Sequence, residues 1–204
     1  MNDVNCICDA NVWIDACHCD AEIDYLKKYA IVGFIEQVHN EIIKFKNNGD
    51  KFRYIFTKYA DNENLCRVLK ASDLGKMEVQ FIAQLRSKGF GDIDNKTKSI
   101  DNLGEYASLY YAYHMKIPYI HTTDTQFLHD EKDKLPGIRM VTWNEINEAL
   151  SSDDNHRIRR NKMVDQRKKE MRNAKNKYNK EKESEKSFNR LELLKKKINN
   201  NRNA

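Results

Sequence analysis

The chain reads as an α/β protein: a three-layer α/β/α sandwich with a mainly parallel central sheet, followed by a basic C-terminal tail that is helical or partly disordered. Three observations predict this. Short apolar runs alternate with helical patterns from residue 4 to residue 150, the order expected of a parallel sheet built from strand–helix–strand units. A chain of 204 residues with 40% hydrophobic residues can bury one core of roughly 150 residues and carry an appendage. The charge is split as well. Residues 151–204 hold 18 Lys+Arg against 8 Asp+Glu, a net of +10, whereas residues 1–150 carry 18 against 23, a net of −5. An acidic body calls for cations, and a basic tail for a polyanion. The predicted domains are therefore 1–150 and 151–204.

The elements follow in order. Val4, Cys6 and Cys8 alternate with Asn5 and Ile7, a strand that ends at Asp9 and gives way to a helix opening at Val12-Trp13-Ile14. Residues 31–38, IVGFIEQV, are apolar enough for a second strand, with Glu41 near the start of the helix after it. Residues 51–60 fit strand or helix, 73–89 fit a helix, and the polar run from Gly89 to Ser99 makes a loop. A helix is expected over 99–116, where Asp101 and Glu105 stand four apart and stack one turn above the other. Residues 117–121 form a strand with Thr122-Thr123-Asp124 at its end. Residues 137–141 form another, and Thr142 followed by Glu145 three positions later fits a capping box opening the last helix, through Leu150.

Five cysteines, an odd number, argue against a disulfide framework. Cys6, Cys8, Cys17, His18 and Cys19 could suggest zinc, but C-x-C pairs put both thiols on one face of a strand, and structural zinc usually has a loop between ligands. Buried thiols that pack the first strand are the better reading. No apolar run approaches the length of a membrane span and the N-terminus, MNDVNC, does not look like a signal peptide, so a cytoplasmic protein with no membrane partner is expected.

The carboxylates are more telling. Asp9 falls at the carboxyl end of the first strand, Glu41 follows the second, and Asp124 follows a third, with Glu105 in the helix between. In open α/β sheets the ligand crevice lies beyond those strand ends. Each acid taken alone reads as a helix cap or a solvated charge; the set in order is more specific. Asp9-x-Asn11, Val38-x-x-Glu41, Gly104-Glu105 and Thr122-x-Asp124-x-x-Phe127 resemble the successive motifs of PIN-domain ribonucleases over residues 4–150. That resemblance implies a divalent-metal-dependent endoribonuclease, often the toxin of a toxin–antitoxin pair. It does not extend to 151–204.

The chemistry agrees with the resemblance. Mg2+ and Mn2+ take oxygen ligands and are commonly held by one or two carboxylates together with substrate phosphate. Carboxylates clustered without a cation repel one another and rise in pKa. Asp9, Glu41, Glu105 and Asp124 are the candidate catalytic residues. Asp9, Glu105 and Asp124 are the expected ligands of Mg2+ or Mn2+, and Glu41 belongs further out or to a second ion. Asn11, Thr122 and Asp101 are the expected supporting residues. Acyl-transfer and nucleotide-binding signatures such as a nucleophile elbow, a Walker loop or G-x-G-x-x-G are absent. Two readings stay open: an endoribonuclease whose partners are RNA and an antitoxin or other regulatory protein, with a homo-oligomer compatible, and a non-catalytic RNA-binding protein on the same fold.

Overall fold

The computed structural model describes residues 3–47, 49–91, 102–123 and 136–202. Strand β1 (Cys6–Cys8) is followed by α1 (Ala10–His18), α2 (Glu22–Tyr29), β2 (Val32–Ile35) and α3 (Glu36–Lys44). After these come α4 (Gly49–Phe52), α5 (Tyr54–Asp61), β3 (Cys66–Leu69), α6 (Glu78–Ser87) and α7 (Leu103–Met115). Strands β4 (Tyr119–His121) and β5 (Arg139–Val141), helix α8 (Trp143–Leu150) and the long helix α9 (Asp154–Arg202) complete the described chain.

The five strands form one sheet in the order β3-β2-β1-β4-β5, and every pairing is parallel. Helices flank the sheet, as expected for a three-layer sandwich. A strand covered on both faces has no solvent side, and so β1 and β2 are buried at every residue. The order has a functional consequence. From β1 the chain steps outward through β2 to β3, then returns to place β4 on the other side of β1. That reversal makes a topological switch point at the carboxyl ends of β1 and β4, the place where open parallel sheets leave a crevice. The amide of Asp9 donates to the His121 carbonyl at 2.9 Å and the amide of Thr122 to the Val141 carbonyl at 3.1 Å, closing the sheet up to the edge of that crevice.

Trp13 is the centre of the packing between α1, β2 and α5. It is fully buried, its indole Nε1 donates to the Ile55 carbonyl at 3.2 Å, and it meets Phe34 and Tyr59 edge-on at 5.6 and 5.8 Å. Phe34 and Tyr59 meet each other edge-on at 5.1 Å. Edge-to-face pairs add to the burial of each ring.

Several sequence expectations change in detail. Strand β2 stops at Ile35, and Glu36 already opens α3, whose Val38 and Ile42 are buried at i,i+4 spacing. Glu41 is therefore in the interior of that helix and not near its start. Residues 51–60 resolve as helix. The pair Cys17 and Cys19 lies at the end of α1 and just past it, so it shares no strand face. Strand β3 carries no usable sequence signal, being four residues long at the sheet edge with Arg67 exposed. The capping box of Thr142 and Glu145 forms, with Glu145 accepting from the Thr142 amide at 2.8 Å.

The tail is helical. Its first turns belong to the compact unit that runs to Val164, and residues 165–204 form a second unit. Asn147, fully buried, donates to the Arg157 carbonyl at 3.1 Å and to Asn161 Oδ1 at 2.8 Å. Arg160, also buried, donates to the Leu150 carbonyl at 3.0 Å and to Asp24 at 2.6 Å. Truncation after Leu150 removes these hydrogen bonds, the Arg160–Asp24 ion pair and the cover over Asn147. It should cost about 2–3 kcal/mol more than truncation after Val164, read as a difference in denaturant midpoint. Equal midpoints would mean the first turns of α9 do not brace the body.

Candidate functional site

Asp9 is the residue on which the site turns. It follows β1 and occupies the N-cap of α1 in extended conformation, yet its side chain makes no capping hydrogen bond. It is buried, 6% exposed, and accepts from Asn11 Nδ2 at 3.3 Å. Burial, the negative charge of Glu105 and that of Glu41 push its carboxyl up to about 7, against the pull of the Ala10 and Asn11 amides. A carboxylate used only as a helix cap would be held down by the amides it bonds. This one is held up by burial first and by its acidic neighbours second.

Those neighbours arrive from separate elements. Helix α7 packs against β1, β2, β4 and α3, with Gly104 facing α3, where a Cβ would meet Val38 Cγ2 at an ordinary contact distance of 3.7 Å. The residue after that glycine is Glu105, half-buried in the first turn of α7. Glu41 is half-buried on α3, and its carboxyl is raised by burial and by Glu105 while Lys44 draws it down. Thus Asp9, Glu41 and Glu105 lie within electrostatic reach of one another. Thr122 is buried just past β4, beside Asp9 across the switch point, and Asn11 is exposed at the mouth. Asp124 and Asp101 lie outside the described residues.

No family model matches the chain, and no curated protein matches it. Among solved structures it is similar to a chain of VapBC2 from Rickettsia felis, bound to a DNA fragment from their promoter. Identity is 15% and the TM-score is 0.46, over 68% of this chain and 98% of that one.

Among the described residues no three His, Cys, Asp or Glu side chains are grouped closely enough to hold a metal ion by themselves. The electrostatic coupling of the three acids therefore describes neighbours around a crevice and not a finished cage. A magnesium-type ion does not require a cage, since it keeps several waters and uses only one or two carboxylates. The donor set fits such an ion: hard oxygen ligands, with a buried acid whose pKa is raised by burial and by two neighbouring carboxylates. Among the described residues, Lys44 contributes to the site without standing out in the sequence. Its i,i+3 spacing from Glu41 was the available signal.

The cysteines do not form a second site. Cys6, Cys8, Cys17 and Cys19 are buried, Cys66 is half-buried, and all are free. Burial pushes Cys6, Cys19 and Cys66 up to about 12, so each stays a thiol, whereas metal ligation and nucleophilic attack need the thiolate. They are packing residues. His121 is buried beneath the switch point with Nδ1 2.7 Å from the Tyr25 hydroxyl, and burial lowers its pKa to about 4. It is a neutral core residue.

Among the described residues no helix is long and apolar enough to cross a membrane.

Proposed function

We propose that the chain is a divalent-metal-dependent endoribonuclease that hydrolyses RNA phosphodiester bonds at the crevice beyond β1 and β4. One observation carries the reading: a buried carboxylate, Asp9, stands at the topological switch point with its pKa raised by burial and by two further acids, Glu105 and Glu41, from other elements. Structural ion pairs do not assemble three acids in this way, whereas an ion that neutralises them gives the arrangement a purpose. Asp9, with Asp124 and Glu105, would hold Mg2+ or Mn2+. The ion would supply an activated water and charge neutralisation at the scissile phosphate. Glu41 adds negative charge beside Glu105 and serves a second ion or an ordered water. Asn11, hydrogen-bonded to Asp9, would orient its carboxylate, and Thr122 would offer a hydroxyl beside it. Asp101 would be a further supporting residue.

The narrower form of this reading is the toxin half of a toxin–antitoxin pair, regulated by an antitoxin that covers the crevice. Growth arrest on expression, dependent on Glu105, is its expected sign. The general test is cleavage of labelled RNA by purified protein with Mg2+ or Mn2+, against chelator and against DNA of the same sequence. Metal-dependent RNA cleavage that Glu105→Gln lowers by about 10²-fold or more is the expected result. Retained RNA binding with no cleavage under either metal would leave a non-catalytic RNA-binding protein.

A further inference from the structure

The second unit, 165–204, contains none of the candidate acids, and its charges are arranged unevenly. With about 100° of rotation per residue, Arg172, Lys175, Lys182 and Lys186 fall within one sector of the helix roughly 80° wide, with Asn179 inside it. The four cations span about 21 Å along the axis at 1.5 Å per residue. All five side chains are exposed. The carboxylates Glu170, Glu181 and Glu185 project from the other side of the helix, and Glu183 borders the cationic sector. Cations on the acidic side are partly neutralised there: Arg167 lies 3.5 Å from Glu170 and Lys177 3.9 Å from Glu181. Among the described residues Arg172, Lys175, Lys182 and Lys186 make no ion pair, and Lys182 rests over the Tyr178 ring at 5.9 Å.

We infer that this cationic face is a docking surface for the phosphate backbone of RNA, separate from the acidic crevice. Charge complementarity selects a polyanion, and the stripe is long enough to meet several phosphates in succession. Asn179 adds a neutral hydrogen-bonding group within the same row. An anionic membrane is the weaker match, because residues 165–186 contain only Met171, Ala174 and Tyr178 as apolar residues, too few to bury in a bilayer surface. Within residues 165–186 these three are also too sparse for a continuous heptad seam with a second copy of the helix. The inference deepens the nuclease reading by giving the substrate a place to be held, but binding through this face does not require the acids to be catalytic.

The experiment measures binding of a fluorescein-labelled RNA hairpin across a KCl series from about 50 to 300 mM. It uses full-length protein carrying Asp9→Asn, so that cleavage cannot distort the readout. One variant adds Arg172→Gln, Lys175→Gln, Lys182→Gln and Lys186→Gln. A second adds Arg167→Gln, Lys169→Gln, Lys177→Gln and Lys180→Gln, which removes the same charge from the other side. Circular dichroism confirms that both keep the helix. The first variant should lose roughly ten-fold or more in affinity at about 0.15 M KCl, and its log–log salt slope should become shallower by about 3, as loss of four phosphate contacts requires. The second should change the slope by less than about 1. Equal losses in both would reduce the effect to net charge and overturn the inference, as would an unchanged slope in the first. Sedimentation showing that the first variant alters only self-association, or flotation showing selective loss of binding to phosphatidylserine vesicles with RNA binding intact, would also overturn it. Cleavage by the chain without Asp9→Asn tests the nuclease reading separately, so either can fail alone.

Discussion

Asp9→Asn should abolish metal-dependent cleavage, by on the order of 10³-fold, while making the metal-free protein more stable at alkaline pH. The two effects have one cause. The Asp9 carboxyl is raised from 3.8 to about 7 by burial and by Glu105 and Glu41. Below about pH 4 it is protonated in folded and unfolded chains alike, and nothing is lost. Between about 4 and 7 the unfolded chain releases the proton and the folded chain keeps it, so stability falls as pH rises. Above about 7 both are ionised and the full cost remains, up to about 4 kcal/mol, since each tenfold change in proton affinity is worth about 1.4 kcal/mol. Asparagine carries no such cost. Thermal melts should show the variant gaining on the parent from pH 5 to pH 7 and levelling beyond it. Added Mg2+ or Mn2+ should narrow the gap by stabilising the parent alone, more at pH 8 than at pH 6, because binding needs the ionised acid. A variant that melts below the parent at pH 8 without metal would contradict this picture of the crevice. A variant that still cleaves RNA would remove Asp9 from the proposed chemistry.

Trp13→Ala should be the most damaging single change to the fold. The indole is fully buried, contacts two aromatic rings edge-on and donates its N–H to the Ile55 carbonyl at 3.2 Å. Truncation leaves a large cavity where α1, β2 and α5 meet and takes the partner from a buried carbonyl. The expected cost is about 3–5 kcal/mol, seen as a drop in melting temperature on the order of 10 °C. Trp13→Phe keeps most of the ring volume and should cost less than half as much. A loss below about 1 kcal/mol for the alanine variant would mean that this cluster is not the packing centre. Because α1 begins immediately after Asp9, the same variant should also weaken any metal-dependent stabilisation, an effect that Trp13→Phe should largely spare.

The sequence by itself determined the class of the fold and the identity of the candidate acids. Alternating strands and helices point to a parallel sheet, because parallel neighbours need crossovers, and the acids at 9, 41 and 105 were legible as candidates because Asp9 and Glu41 come after strand-like runs and Glu105 lies in a helical one. Thr142 and Glu145 fixed the start of α8 through local capping alone. Periodicity could not mark β3, whose four residues at the sheet edge are mostly half-exposed, nor the change from β2 to α3 at Glu36, where an apolar run passes through the boundary without a turn residue. The electrostatic state of Asp9 was likewise beyond the sequence. It depends on burial, on Glu105 and Glu41 approaching from α7 and α3, and on the strand order that places β4 beside β1. Local rules act over three or four residues. Strand order, burial and the meeting of charges more than thirty residues apart are set by which faces pack together, and only the tertiary structure decides that.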